Sequence, residues 1–222
     1  MNGEGCWLGD ERARALAREH GTPLYAYHEP TLRERLREIA GLLSHRPFHP
    51  SISVKANGNP HLLAIAREEG LRGDAMSPGE ILLLERAGFR PEEVFFVPNN
   101  VSDDELRFAH SRGIMTSLDS LDQLRSWTRL FPGSSVALRV DPGVGDGHHE
   151  KVVTAGGRTK FGLLPSELPE ALSVLRDSGV RLAGLNQHIG SGFLEPSRYL
   201  AAARALLEMA ESVGDVDFVD FG

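Results

Sequence analysis

From Ser51 onward the chain switches repeatedly between short runs that alternate every second residue and longer runs whose apolar positions recur at helical spacing. In Ser51 to Lys55, Ile52 and Val54 alternate with Ser51, Ser53 and Lys55, as in a strand. Asn57-Gly58-Asn59-Pro60 then supplies a turn ahead of the helical set Leu62, Leu63, Ile65 and Ala66. The beat returns about every 20 residues, the rhythm of successive βα units building a parallel sheet. It predicts strands at Ser51 to Lys55, Arg72 to Met76, Val94 to Pro98, Ile114 to Leu118, Ser135 to Val140, Arg181 to His188 and Asp217 to Phe221. Helix starts are marked by Ser77 with Glu80, Ser102 with Glu105 and Ser120 with Gln123, each pair spaced as a capping box. The rhythm suits a barrel or an open doubly wound sheet. The lack of a G-x-G-x-x-G after the first strand argues against a dinucleotide fold.

Ahead of this region, Asp10 to His20 reads as a short helix capped by Asp10 and stopped by Gly21, and Pro23 to Tyr27 reads as a strand. A further helix is predicted to begin at Thr31, with Glu34 completing its capping box and Leu32, Leu36, Ile39 and Leu43 forming its buried stripe.

The 222 residues are 41% hydrophobic and 25% charged, enough for one large core. The net charge of -7 is spread along the chain, so no basic stripe points to nucleic acid or an anionic membrane. The longest aliphatic run, Ile81 to Leu84, is too short to span a bilayer, and the first residues lack a signal peptide's basic start and apolar segment. A cytoplasmic protein is expected. Cys6 has no second cysteine to pair with.

Lys55 ends its predicted strand, and the carboxyl rim of a βα barrel is where active sites are built. A lysine there suits covalent chemistry with a carbonyl when partial burial lowers its amine pKa. The Gly-rich segment Asp141 to Leu164 interrupts the beat and leaves the same rim. Within it His148, His149 and Glu150 carry no metal expectation, since adjacent extended residues point apart and no further ligand completes a set.

Four stretches together carry a resemblance: Ser51 to His61; Gly73-Asp74-Ala75-Met76-Ser77-Pro78-Gly79-Glu80; Lys160-Phe161-Gly162; and Gln187-His188-Ile189-Gly190-Ser191-Gly192. In this order they resemble the pyridoxal-phosphate-dependent amino-acid decarboxylases of the alanine-racemase-like fold, over essentially the whole chain. The resemblance implies a (β/α)8 TIM-type barrel, incomplete at its C-terminal end. Residues 1 to 30 would contribute a strand to a separate β-domain, and residues 31 to 222 would form the cofactor-binding barrel. It implies pyridoxal 5'-phosphate as cofactor and a homodimer in the full-length form. The wording is nearest the branch that converts meso-diaminopimelate to L-lysine. Ornithine, lysine and arginine enzymes share most of it, and Gln187 departs from the usual residue at its position.

By the same resemblance Lys55 forms the covalent link to the cofactor and His188 stacks on its ring. Asp74 and Arg139 line the cofactor site, and Gly190 and Ser191 receive the phosphate, for which small residues and free N–H groups suit. Lys160 matches a residue near the dimer interface, and Glu80 is assigned to helix capping rather than catalysis. The acid for the ring nitrogen and the substrate carboxylate clamp are expected beyond Gly222. Two other classes share parts of this pattern. A non-catalytic pyridoxal-phosphate carrier fits the length but lacks the Pro23-Leu24-Tyr25-Ala26-Tyr27 stretch, and retention of Lys55 and His188 opposes a pseudo-enzyme.

Overall fold

The computed structural model describes residues 7–143, 160–192 and 194–222. Two helices, α1 (Asp10–His20) and α2 (Glu29–Ala40), precede the sheet. The alternation then runs β1 (Ser51–Ser53), α3 (Pro60–Glu68), β2 (Arg72–Ala75), α4 (Pro78–Arg86), β3 (Val94–Phe96), α5 (Asp103–His110), β4 (Met115–Leu118) and α6 (Leu121–Leu130). It continues through β5 (Ser135–Arg139), α7 (Leu168–Ser178), β6 (Arg181–Asn186), α8 (Ser197–Val213) and β7 (Phe218–Asp220). All seven strands are parallel and pair in chain order. An open doubly wound sheet reverses its strand order at a switch point; this one does not, and it curls as an incomplete TIM-type barrel.

One contact makes the curl visible. Phe95 of β3 and Phe218 of β7 meet edge to face with ring centroids 5.5 Å apart. Strands four places apart in a flat sheet would lie about 19 Å from each other. Room for the ring comes from Gly184 of β6, where a Cβ would fall 2.6 Å from Phe218. The outward residues Val136, Leu138 and Leu185 pack with Leu124, Trp127, Leu175 and Leu206 of the helix layer. A second cluster joins Ala75, Val94 and Phe96 to Leu63, Ile81 and Leu84.

The caps explain where the helices begin. Ser77, Ser102 and Ser120 each accept from the backbone N–H three residues on. Glu105 closes the full box on Ser102, whereas Glu80 and Gln123 reach one residue further back, to the N–H groups of Met76 and Asp119. α2 starts before Thr31: His28 is its N-cap and Pro30, with φ preset for a helix, lies in the first turn. Thr31 Oγ1 bonds His28 Nδ1 at 2.8 Å, so the expected Thr31–Glu34 box does not form. The strand expected at Pro23 to Tyr27 is likewise not formed. With no partner strand among the described residues its backbone turns to water, and Leu24, Tyr25 and Tyr27 are exposed. Several strands end earlier than the alternation predicts, because the chain turns once the ladder stops. Ala56 N–H, for example, donates to the Ser53 carbonyl and makes a turn of the predicted end of β1. His148, His149 and Glu150 lie outside the described residues. Among the described residues no helix is long and apolar enough to cross a membrane.

Candidate active site at the carboxyl ends of the strands

Register decides which side chains share the inner face. Ser53 pairs with Asp74, Arg139 with Asn186, and Asn186 with Asp220. In a parallel sheet paired residues point the same way and the period is two. Asp74, Arg139, Asn186 and Asp220 therefore line the inside, with Lys55, Asp119 and His188 continuing the same parity past the ends of β1, β4 and β6. The Ser117 hydroxyl donates to the Asn186 side-chain oxygen, and the Asn99 amide donates to Asp119.

Charge is concentrated here. Arg139 is 3% exposed, and burial lowers its pKa against the pull of Asp119, Asp74, Asp141 and Asp220. Burial pushes the Asp74 and Asp119 carboxyls up, and Arg139 opposes both shifts. Asp220 is pushed up to about 6, chiefly by burial and further by Asp74, while the Gly222 N–H and Arg139 oppose the rise. Burial, then the positive charges of Lys55 and Arg139, hold His188 down at about 4, which leaves a neutral imidazole at pH 7. The Lys55 amine thus acts on both Asp74 and His188.

The structure brings Lys55, Asp74, Arg139 and His188 to one mouth. Lys55 itself is exposed rather than partly buried, because the turn after β1 lifts it to the rim. Gly190 and Ser191 follow His188 on one loop, with Gly190 buried at φ 136 and Ser191 exposed. Glu80 is occupied in capping, as expected. Lys160 is exposed, with its amine 5.2 Å from the Phe161 ring centroid. Sequence reasoning did not single out Asp119, Asn186, Asp220 or Phe161 as site residues. The signal for Asp220 was available: it holds an inward position in the last predicted strand. The Phe161 ring faces Arg139 at 4.7 Å.

A primary amine, a neutral flat ring, a small-residue loop and a set of buried carboxylates around one arginine can together hold a carbonyl compound that carries an anionic arm. The family described as pyridoxal-dependent decarboxylase, pyridoxal binding domain, matches residues 30–220, and the chain belongs to it. A diaminopimelate decarboxylase from Methanothermobacter thermautotrophicus is 39% identical over 97% of this chain and 52% of its own length. The diaminopimelate decarboxylase of Helicobacter pylori complexed with L-lysine has the same fold, with a TM-score of 0.90 at 22% identity over 95% of this chain and 56% of that one. A further diaminopimelate decarboxylase crystal structure gives 0.81 at 30% identity over 96% and 50%. The chain spans about half the length of the curated relatives it matches.

The residues present fit pyridoxal 5'-phosphate. Lys55 offers an exposed amine for the carbonyl, His188 an uncharged ring, and the Gly190 to Gly192 loop a small-residue seat for the phosphate.

Proposed function

We propose that this chain is the cofactor-binding half of an enzyme that decarboxylates meso-diaminopimelate to L-lysine. The observation that carries the reading is the placement of Lys55, whose amine stands at the barrel mouth within electrostatic reach of both Asp74 and His188. Support for the substrate comes from the 39% identical relative. In this reading residues 1 to 30 belong to a β-domain with the remainder of a longer protein, and the whole is a cytoplasmic homodimer.

When bound, pyridoxal phosphate supplies an electron sink that weakens the bond between an amino acid's Cα and its carboxylate. Lys55 would hold the cofactor by its amine. His188 offers a ring face without adding positive charge beside Lys55 and Arg139. The Ser191 hydroxyl and the backbone around Gly190 and Gly192 would receive the phosphate. Asp74 lies within electrostatic reach of the Lys55 amine, and Arg139 acts on both Asp74 and His188 beside it.

The test is carbon dioxide release by the full-length protein with pyridoxal phosphate, offered meso-diaminopimelate, ornithine, lysine or arginine in turn. Turnover is expected with diaminopimelate and lost in Lys55→Ala. A preference for one of the other three would replace the substrate. Undiminished turnover in Lys55→Ala would remove the role given to that lysine.

A further inference from the structure

The segment that returns to β5 after the Gly-rich stretch is pinned just past Phe161. Leu163 N–H donates to the Arg139 carbonyl and Asp141 N–H to the Leu163 carbonyl, each at 2.8 Å, and Leu163 bridges to Val140 in parallel. Between them Gly162 sits at φ +80, where a Cβ would lie 2.9 Å from both Asp141 N and the Val140 carbonyl carbon. A side chain at 162 would collide with backbone as well as strain it. Leu163 is 1% exposed in the outer core. The backbone on the far side of Phe161 is therefore fixed against β5, and its ring lies over the guanidinium of Arg139 with 4.7 Å from Cζ to the centroid.

Arg139 needs such a hold. Asp74 comes from β2, Asp119 follows β4, Asp141 follows β5 and Asp220 ends β7, so the four carboxylates draw the guanidinium along different directions. A flexible arginine in that field would settle toward one acid and leave the others short of charge. An aromatic face instead fixes its plane without neutralising it, through attraction between the cation and the ring quadrupole.

Resting on the function proposed above, we infer that Phe161 is a positioning residue: its ring holds the Arg139 guanidinium centred among the inner-face carboxylates, and through Arg139 it sets the field at His188. The site side of the Lys160-Phe161-Gly162 motif is thus the phenylalanine. Gly162 makes its approach to β5 sterically open.

The experiment compares Phe161→Leu, Phe161→Met and Phe161→Tyr in the full-length protein. In protein without added cofactor, phenylglyoxal labelling of Arg139 is followed by peptide mass mapping, and the His188 ring titration by NMR. Labelling is expected about fivefold faster in the Leu and Met variants, the factor of one partly desolvated cation–π contact. The His188 titration should shift upward as Arg139 leaves, and kcat should fall with KM little changed. Phe161→Tyr, which keeps the ring, should restore all three. The inference is overturned if folded Phe161→Leu or Phe161→Met labels at the parent rate with His188 unmoved, or if Phe161→Tyr behaves like them. Reductive attachment of pyridoxal phosphate to Lys55 is scored separately, so a failure of the cofactor reading is distinguishable from a failure of the Phe161 assignment.

Discussion

His188 and Asp220 titrate in opposite senses at the same mouth, with Gly222 so near His188 that a Cβ there would lie 3.1 Å from Nδ1. His188 falls from an ordinary 6.5 to about 4, so between these values the unfolded chain binds a proton that the native state does not. The stability from this group is present above pH 6.5 and is lost as pH falls toward 4. Asp220 rises from 3.8 to about 6, so its contribution is present below 3.8 and is lost as pH rises to 6. The two slopes oppose each other in the overlapping window. Urea unfolding across it should therefore give His188→Gln a midpoint that falls with pH, and Asp220→Asn one that rises; equal slopes in both variants would contradict the assignment. A steric prediction belongs to the same scale. Gly184→Ala sets a methyl group against Phe218 and should cost about 1–3 kcal/mol in unfolding free energy, the usual range for an overpacked core. The placement of Lys55, Asp74 and His188 at one mouth was legible because each sits in a short motif, and that of Arg139 because it lies near the end of a predicted strand. That of Asp119 was not, because it follows a strand whose neighbours are distant in sequence; Asp220 held an inward position in the last predicted strand, and Phe161 stood in a short motif, but its contact with Arg139 appears only in the fold.

Helix starts were the most legible elements. A serine cap and a carboxylate or amide three residues on form a local unit, and all three predicted after the first strand are present at their serines. α5 has the complete box, with Ser102 and Glu105 each accepting from the other's N–H. Ser102→Ala should lower unfolding free energy by about 1 kcal/mol, read from the shift of the urea midpoint. Two local expectations failed ahead of the sheet: Asp10 lies inside α1, whose N-cap is Gly9, and α2 has its N-cap at His28 rather than Thr31. The strand that failed to appear is one whose hydrogen bonds are not local. Pro23 to Tyr27 has strand composition, yet composition cannot supply a neighbouring strand. The Asn57 amide donates to the Tyr27 hydroxyl at 3.1 Å. That contact joins the N-terminal segment to the turn just after Lys55.

Over the whole molecule, the longest ladder joins β5 and β6 over five register positions, while the edge strands β1 and β7 are three residues long and each pairs on one side only among the described residues. Hydrogen exchange should grade accordingly, with amides of Leu138 and Leu185 slowest and those of Ile52 and Val219 much faster; uniform protection would contradict the open order of the sheet. The strand–helix rhythm alone left barrel and doubly wound sheet both open. The sequential order, and the contact of Phe95 with Phe218, decide for the barrel. The proposed chemistry of the molecule turns on one amine. The lysines of this chain are Lys55, Lys151 and Lys160. Borohydride reduction of the full-length protein with pyridoxal phosphate, followed by peptide mapping, should place the cofactor on Lys55. Recovery of the label on Lys160 or Lys151, with Lys55 unmodified, would contradict the site.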